Sequence, residues 1–258
     1  MDDLPALLKL LPNVGFGFML VVARVGTALL TGPGLGEAEV PGTIRIVLPV
    51  LLSALTYPLL QNRLPPLPEG IPTLIGFLGL EVIIGAWLGF MARVLVMALA
   101  IAGDILSLMV GLSSVLQIDP SAGTQVPALH RMLALAAVAL LFASGLYVLP
   151  IQAVIGSYDI ITPGATLDTG GTAQLVTRAV AASYGLALRL AAPFIIICLV
   201  WQAALGFITR LVPNIHVHVV SAPAQILGGL TLLAVAIGLV FANWSAEMRQ
   251  ALSTLPGQ

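Results

Sequence analysis

Six stretches of this chain are apolar over lengths that approach or exceed a membrane crossing: Val14–Leu30, Ile44–Leu60, Ile71–Ala92, Leu133–Ile155, Ala179–Ile208 and Val219–Ala242. A bilayer core about 30 Å thick takes roughly 20 apolar residues as a helix. The runs are continuous rather than alternating, which argues against β-barrel strands and leaves helices. Composition agrees, since 8% of the 258 residues are charged, whereas a soluble domain carries about 25%. With a mean hydropathy of +1.08, these values exclude a water-soluble enzyme, a nucleic-acid binder and a disordered chain. The expected fold is an all-α integral membrane protein with about six long hydrophobic helices.

The remaining sequence organises these runs. Asp2 and Asp3 make the start acidic and no small-residue cleavage pattern follows, so the first run is expected to belong to the mature protein. Breakers separate the runs at Gly32-Pro33-Gly34-Leu35-Gly36 and at Leu64-Pro65-Pro66-Leu67-Pro68. The longest polar stretch, 156–177, reads as a loop within one membrane-embedded domain covering 1–258. A seventh apolar segment, Ile105–Ile118, is too short to span comfortably; segments of this length are re-entrant, interfacial or buried in an assembly. If every segment crosses once, Lys9, Arg63, Arg131 and Arg210 fall on one side and Arg45, Arg93, Arg178 and Arg249 on the other. The positive-inside rule is therefore tied and assigns no orientation.

Five charges interrupt or adjoin the apolar runs: Arg24, Glu81, Arg93, Asp104 and Arg189. An ionised side chain at a helix centre costs at least about 2.5–3.5 kcal/mol, so each must find a partner or a wet cavity. Arg93 and Asp104 are eleven residues apart, as are Arg178 and Arg189; that spacing returns to one helix face within about 20°. Two readings follow. Buried ion pairs between helices or subunits are preferred, and a polar track for an ion or substrate is the other. Gly85 and Gly89 form a GxxxG, a spacing that lets helices approach closely, yet its occurrence does not exceed what this glycine content produces by chance. His216 and His218 lack a nearby carboxylate or cysteine to complete a metal set, and the one cysteine, Cys198, lies in an apolar run. Glu37 and Glu39 read as solvated or subunit-contact acids in a Gly/Pro loop. No catalytic constellation or cofactor motif is present, so no enzyme activity, metal or cofactor is expected.

The run from Gly103 to Pro127 carries the most information. Small and hydroxyl residues (Ser107, Gly111, Ser113, Ser114) interrupt an apolar stretch that ends at Asp119-Pro120. Backbone leaving regular helix at membrane depth must line a cavity or be enclosed by protein. A pore constriction or plug fits this composition, because an apolar narrowing blocks water and ions. An ordinary short helix with a frayed end fits as well.

The order of motifs resembles the FliR family of flagellar export-gate proteins and their relatives in virulence type III secretion. Arg24 is followed by the Pro33–Gly36 loop and by Val40-Pro41 with Arg45. Next come Glu81-Val82-Ile83-Ile84-Gly85 and the Gly103–Pro120 run with Gly111-Leu112-Ser113. Then follow Ser157-Tyr158-Asp159-Ile160-Ile161-Thr162-Pro163-Gly164, Arg210-Leu211-Val212-Pro213-Asn214, and Pro223 with Gly228-Gly229-Leu230. The series covers nearly the whole chain. Asn214 departs from the family, which usually has Gln after this proline, and His216 and His218 take places that are commonly polar or aromatic.

The resemblance implies tilted helical hairpins in a hetero-oligomeric gate of the bacterial inner membrane, at the flagellar basal body. P-type and Q-type subunits would be its partners, a B-type substrate-switch protein would contact it, and unfolded flagellar proteins would pass through it. It implies a plug within about 106–117, built from Leu106, Met109, Gly111, Leu112, Ser113, Ser114, Val115, Leu116 and Gln117, with Gly111–Leu116 as the closure element. Arg24, Glu81, Arg93, Asp104, Arg189, Arg210 and Pro213 would then serve subunit contacts or buried ion pairs. The alternative is a stand-alone secondary transporter using Glu81, Arg93 and Asp104, which would carry inverted repeats that the sequence does not display.

Overall fold

The computed structural model describes residues 3–37, 39–111, 127–165, 168–211 and 217–257, with side chains at all of these except 3–10, 169 and 217–220. The described residues form α-helices α1 (Asp3–Thr31), α2 (Gly42–Leu60), α3 (Ile71–Val96), α4 (Ala98–Val110), α5 (Ala128–Ala143), α6 (Val148–Ile160), α7 (Thr169–Leu211) and α8 (Val217–Leu252), and contain no strand. Among the described residues, five stretches are long and apolar enough to cross a membrane: Leu11–Thr31, Gly42–Arg63, Ile71–Val110, Gly170–Leu211 and Ser221–Leu252. The broken pair α5 and α6 reaches that standard only together, making up to six. The all-α membrane fold expected from the apolar runs is therefore the one observed.

Two boundaries differ from the sequence expectation. The described part of the seventh segment belongs to a helix that begins at Ala98, after a break at Met97 alone, and continues the third apolar run. The polar stretch 156–177 is loop only in part, because α6 extends to Ile160 and α7 starts at Thr169. Asp168 explains that start: its carboxylate accepts from the backbone N–H groups of Gly170 and Gly171, each at 3.1 Å. These are two of the four amides that a helix N-terminus leaves without intrahelical partners.

Within the expected single domain the chain forms two compact units, Met1–Leu95 with Gly145–Ala179 and Gln250–Gln258, and Val96–Ser144 with Val180–Arg249. In the first unit, Val21, Val25 and Ala28 of α1, Ile84 and Leu88 of α3, Leu60 of α2, and Val154 and Tyr158 of α6 are buried together. The α1 and α3 positions recur at the three- and four-residue steps that set one helix face against another. Gly85 and Gly89 lie on the α3 side of that seam. A Cβ at Gly85 would overlap the Arg24 carbonyl, and one at Gly89 would overlap the Ala28 carbonyl. The GxxxG that the sequence left at background is thus a helix-contact motif, and its spacing works because both glycines meet α1 backbone.

In the second unit α4 and α5 pair along a similar seam. Leu99, Ala102 and Leu106 of α4 and Leu129, Leu133, Ala137 and Leu141 of α5 are buried, the α5 set recurring every fourth residue. Gly103 permits the approach, since a Cβ there would lie 2.8 Å from the Leu129 carbonyl oxygen. By contrast, α7 and α8 leave many large apolar residues exposed on this chain, among them Ile196, Leu199, Val200, Phe207, Leu227, Val235 and Leu239. Surfaces of that character need lipid or another subunit to cover them.

Candidate functional site

Two places concentrate polar groups among apolar helices. The first is centred on Arg24. Its guanidinium meets Glu81 in a two-point pair, with Nε donating to Oε2 at 2.6 Å and Nη2 donating to Oε1 at 3.0 Å. Both side chains are fully buried. Nη1 donates to Ser157 Oγ at 3.1 Å and Nη2 to the Ile161 carbonyl at 3.0 Å. The Tyr158 ring lies against the guanidinium, with Cζ 3.9 Å from its centroid. Four of the five N–H donors of arginine are thus used, and the cation also faces an aromatic ring.

This centre ties α1, α3 and α6 together chemically. A planar guanidinium matches a carboxylate in two parallel hydrogen bonds, a geometry that lysine does not reproduce. Ser157 donates onward to the Val154 carbonyl at 2.6 Å, so its hydroxyl is held by α6 itself while it accepts from Arg24. Thr27 Oγ1 reaches the Val82 carbonyl and Thr31 Oγ1 the Ala86 carbonyl, each at 3.3 Å, extending the polar stitch between α1 and α3. With its donors so occupied, Arg24 is suited to fixing helices rather than to capturing a substrate.

The other sequence-identified charges have separate partners. Arg93 pairs with Glu37 at 3.3 Å, and Arg45 donates to the Glu37 backbone carbonyl, so two arginines hold the loop after α1. Asp104 pairs with His130 Nδ1 at 2.9 Å across α4 and α5. Arg189 pairs with Glu247 at 3.4 Å in an exposed setting. The eleven-residue spacing therefore does not make a partner of Asp104 for Arg93. Glu37, read from the sequence as a solvated or subunit-contact acid, is instead the partner of Arg93 within the chain; His130, Ser157 and Tyr158 carry no local signal of their partners, beyond the place of the last two in the Ser157–Gly164 motif.

The second place is the end of α4. Gly111, at φ +83°, terminates the helix, and its N–H bonds to the Leu108 and Ser107 carbonyls. Leu106 is buried and Met109 half-buried. Leu112, Ser113, Ser114, Val115, Leu116, Gln117, Pro213 and His216 fall outside the described residues, as does the side chain of His218. Arg210 is in the last turn of α7.

Fold and site together define a polytopic helical membrane protein whose first unit is pinned by a buried ion pair. Residues 16–251 match the family described as bacterial export proteins, family 1. A flagellar biosynthetic protein FliR of Caulobacter vibrioides is 32% identical over 233 residues, covering 90% of this chain and 93% of that protein. Proteins of the same name from Bacillus subtilis and Escherichia coli are each 25% identical, covering 87% and 84% of this chain. The chain belongs to the FliR family of bacterial export proteins.

Proposed function

We propose that this chain is a gate subunit of the flagellar protein export apparatus in the bacterial inner membrane. It assembles there with P-type and Q-type subunits and a B-type substrate-switch protein, and it helps to line the path of unfolded flagellar proteins. The observation that carries the proposal is the family match along nearly the whole chain, from residue 16 to residue 251. The apolar faces left open on α7 and α8 support it, since such surfaces suit a subunit enclosed by others. The secondary-transporter alternative gains nothing from the geometry: Glu81, Arg93 and Asp104 have Arg24, Glu37 and His130 as their respective partners.

The closure element is proposed at Gly111–Leu116, within the segment 106–117, acting by steric and apolar blockage. Helix α4 leads into it, and the left-handed turn at Gly111 is a suitable exit from helix into a plug. The test is deletion of 111–116 in the chromosomal gene. P-type and Q-type subunits are co-purified with the variant, and membrane-potential loss is followed in inverted vesicles. A complex that still assembles and leaks ions is expected. An assembled complex that stays ion-tight overturns the plug assignment, and failure of the wild-type chain to capture either subunit overturns the gate reading.

A further inference from the structure

We propose that Gln225 is a positioning residue for the closure element, latching the last turn of α4 to α7 and α8. The inference rests on the closure reading above, but its observations are independent of it. A helix leaves its last four carbonyls without intrahelical partners. At the end of α4, Gly111 serves Ser107 and Leu108, while the Met109 carbonyl is met from two other helices. Gln225 Nε2 of α8 donates to it at 2.8 Å, and the Cys198 thiol of α7 donates to it at 3.3 Å. Gln202 of α7 donates from Nε2 to Gln225 Oε1 at 3.2 Å. That contact fixes which end of the Gln225 amide faces Met109.

Packing repeats the same attachment. The Val110 side chain sits on Gly229 so closely that a Cβ there would lie 2.6 Å from Val110 Cγ2. Around these contacts is a cavity of about 210 Å³, lined chiefly by apolar groups including Phe194, Ile197 and Trp201. A hydrogen bond in apolar surroundings is not readily exchanged for one to water, so losing the Gln225 donor leaves the carbonyl with only the weaker thiol contact from Cys198. A relay of two glutamine amides thus holds one carbonyl at the root of the closure element. Movement of α7 against α8 would release it.

The test uses the assembled complex in native membranes. Gln225→Met keeps an unbranched side chain of similar length and removes the donor, Gly229→Ala presses on Val110, and Gln202→Met removes only the orienting contact. Cys198 is the one cysteine of the chain, so a small membrane-permeant maleimide followed on this subunit reports whether the latch is shut. Expected is a roughly tenfold faster labelling of Cys198 together with an ion leak in Gln225→Met, on the scale of one part-buried hydrogen bond lost. Gly229→Ala should act in the same direction, and Gln202→Met more weakly. Unchanged labelling in both Gln225→Met and Gly229→Ala overturns the latch, even where deletion of 111–116 leaks and the plug reading stands. Faster labelling in complexes that stay ion-tight overturns the positioning role. An ion-tight deletion removes the closure element itself, and the proposal with it.

Discussion

Arg24 Nε lies 2.6 Å from Glu81 Oε2, and neither side chain has any exposed surface. Both are charged groups in helices of membrane-crossing length, where an unpaired ion is costly. Taking two ions out of water is repaid only when geometry is close and the leftover donors are satisfied. Here Ser157 and the Ile161 carbonyl supply the remaining acceptors, so the pair is complete only when α6 is in place.

Replacing one partner should therefore harm the protein more than replacing both. Arg24→Met leaves a buried carboxylate, and Glu81→Met leaves a guanidinium without its counter-charge. Each is expected to destabilise by about 3–5 kcal/mol, with the Arg24→Met, Glu81→Met double variant milder than either. The inverted pair, Arg24→Glu with Glu81→Arg, should not recover, because Ser157 and Ile161 are placed for donors arriving from α1. Thermal aggregation of the detergent-solubilised complex measures all four. Additive losses in the double variant would show that the two charges act separately.

The α1–α3 seam gives a graded test of the glycine spacing. Gly85→Ala and Gly89→Ala each force a methyl into α1 backbone, which should cost about 1–3 kcal/mol. Gly76, on the same helix, has open space where its Cβ would stand, and Gly76→Ala should be neutral or stabilising by up to about 1 kcal/mol. The same melting assay compares the three. Equal effects at all three positions would mean that helix propensity, rather than contact with α1, decides the outcome.

These cases show what the sequence makes legible. Helices and membrane character are readable because run length and lack of charge are local properties: each apolar run lies within one long helix, or across the bent pair α5 and α6, although the helices and their breaks extend beyond the run bounds. Arg24 and Glu81 stood out because charge in an apolar run must be compensated. Their pairing was not readable, since 57 residues separate them and periodicity carries no information across that distance. Gly85 and Gly89 were hidden by a glycine-rich background: the motif acquires meaning only from the carbonyls it faces. Nothing in the sequence beside His130 marks a partner for it; Asp104 supplies one from 26 residues away.

At the start of α7, Asp168 holds two amides through its carboxylate. Asp168→Ala should cost about 0.5–2 kcal/mol and Asp168→Ser much less, because serine also caps helix N-termini well. Hydrogen exchange at Gly170 and Gly171 reads this directly and should accelerate in the alanine variant alone. Exchange that is unchanged by alanine would remove the capping role.

The α4–α5 hairpin separates a His–Asp contact from a packing contact at adjacent residues. Asp104 and His130 are 43% and 26% exposed, so the charge contribution of their pair is small; exposed pairs contribute about 0.2–1 kcal/mol. Asp104→Asn preserves an acceptor for the His130 N–H and should shift stability by no more than that. Gly103→Val, one residue earlier, drives a branched side chain toward the Leu129 carbonyl, where even a Cβ would stand at 2.8 Å. It should separate the helices and cost about 1–3 kcal/mol or more, as overpacking does. A thermal aggregation series of the two single variants and the double variant decides the matter. Backbone proximity is then the main tie between α4 and α5, and the Asp104–His130 contact trims it. If Asp104→Asn proves as damaging as Gly103→Val, that order is reversed, and the His130 contact is the principal link in the hairpin that leads to the proposed closure element.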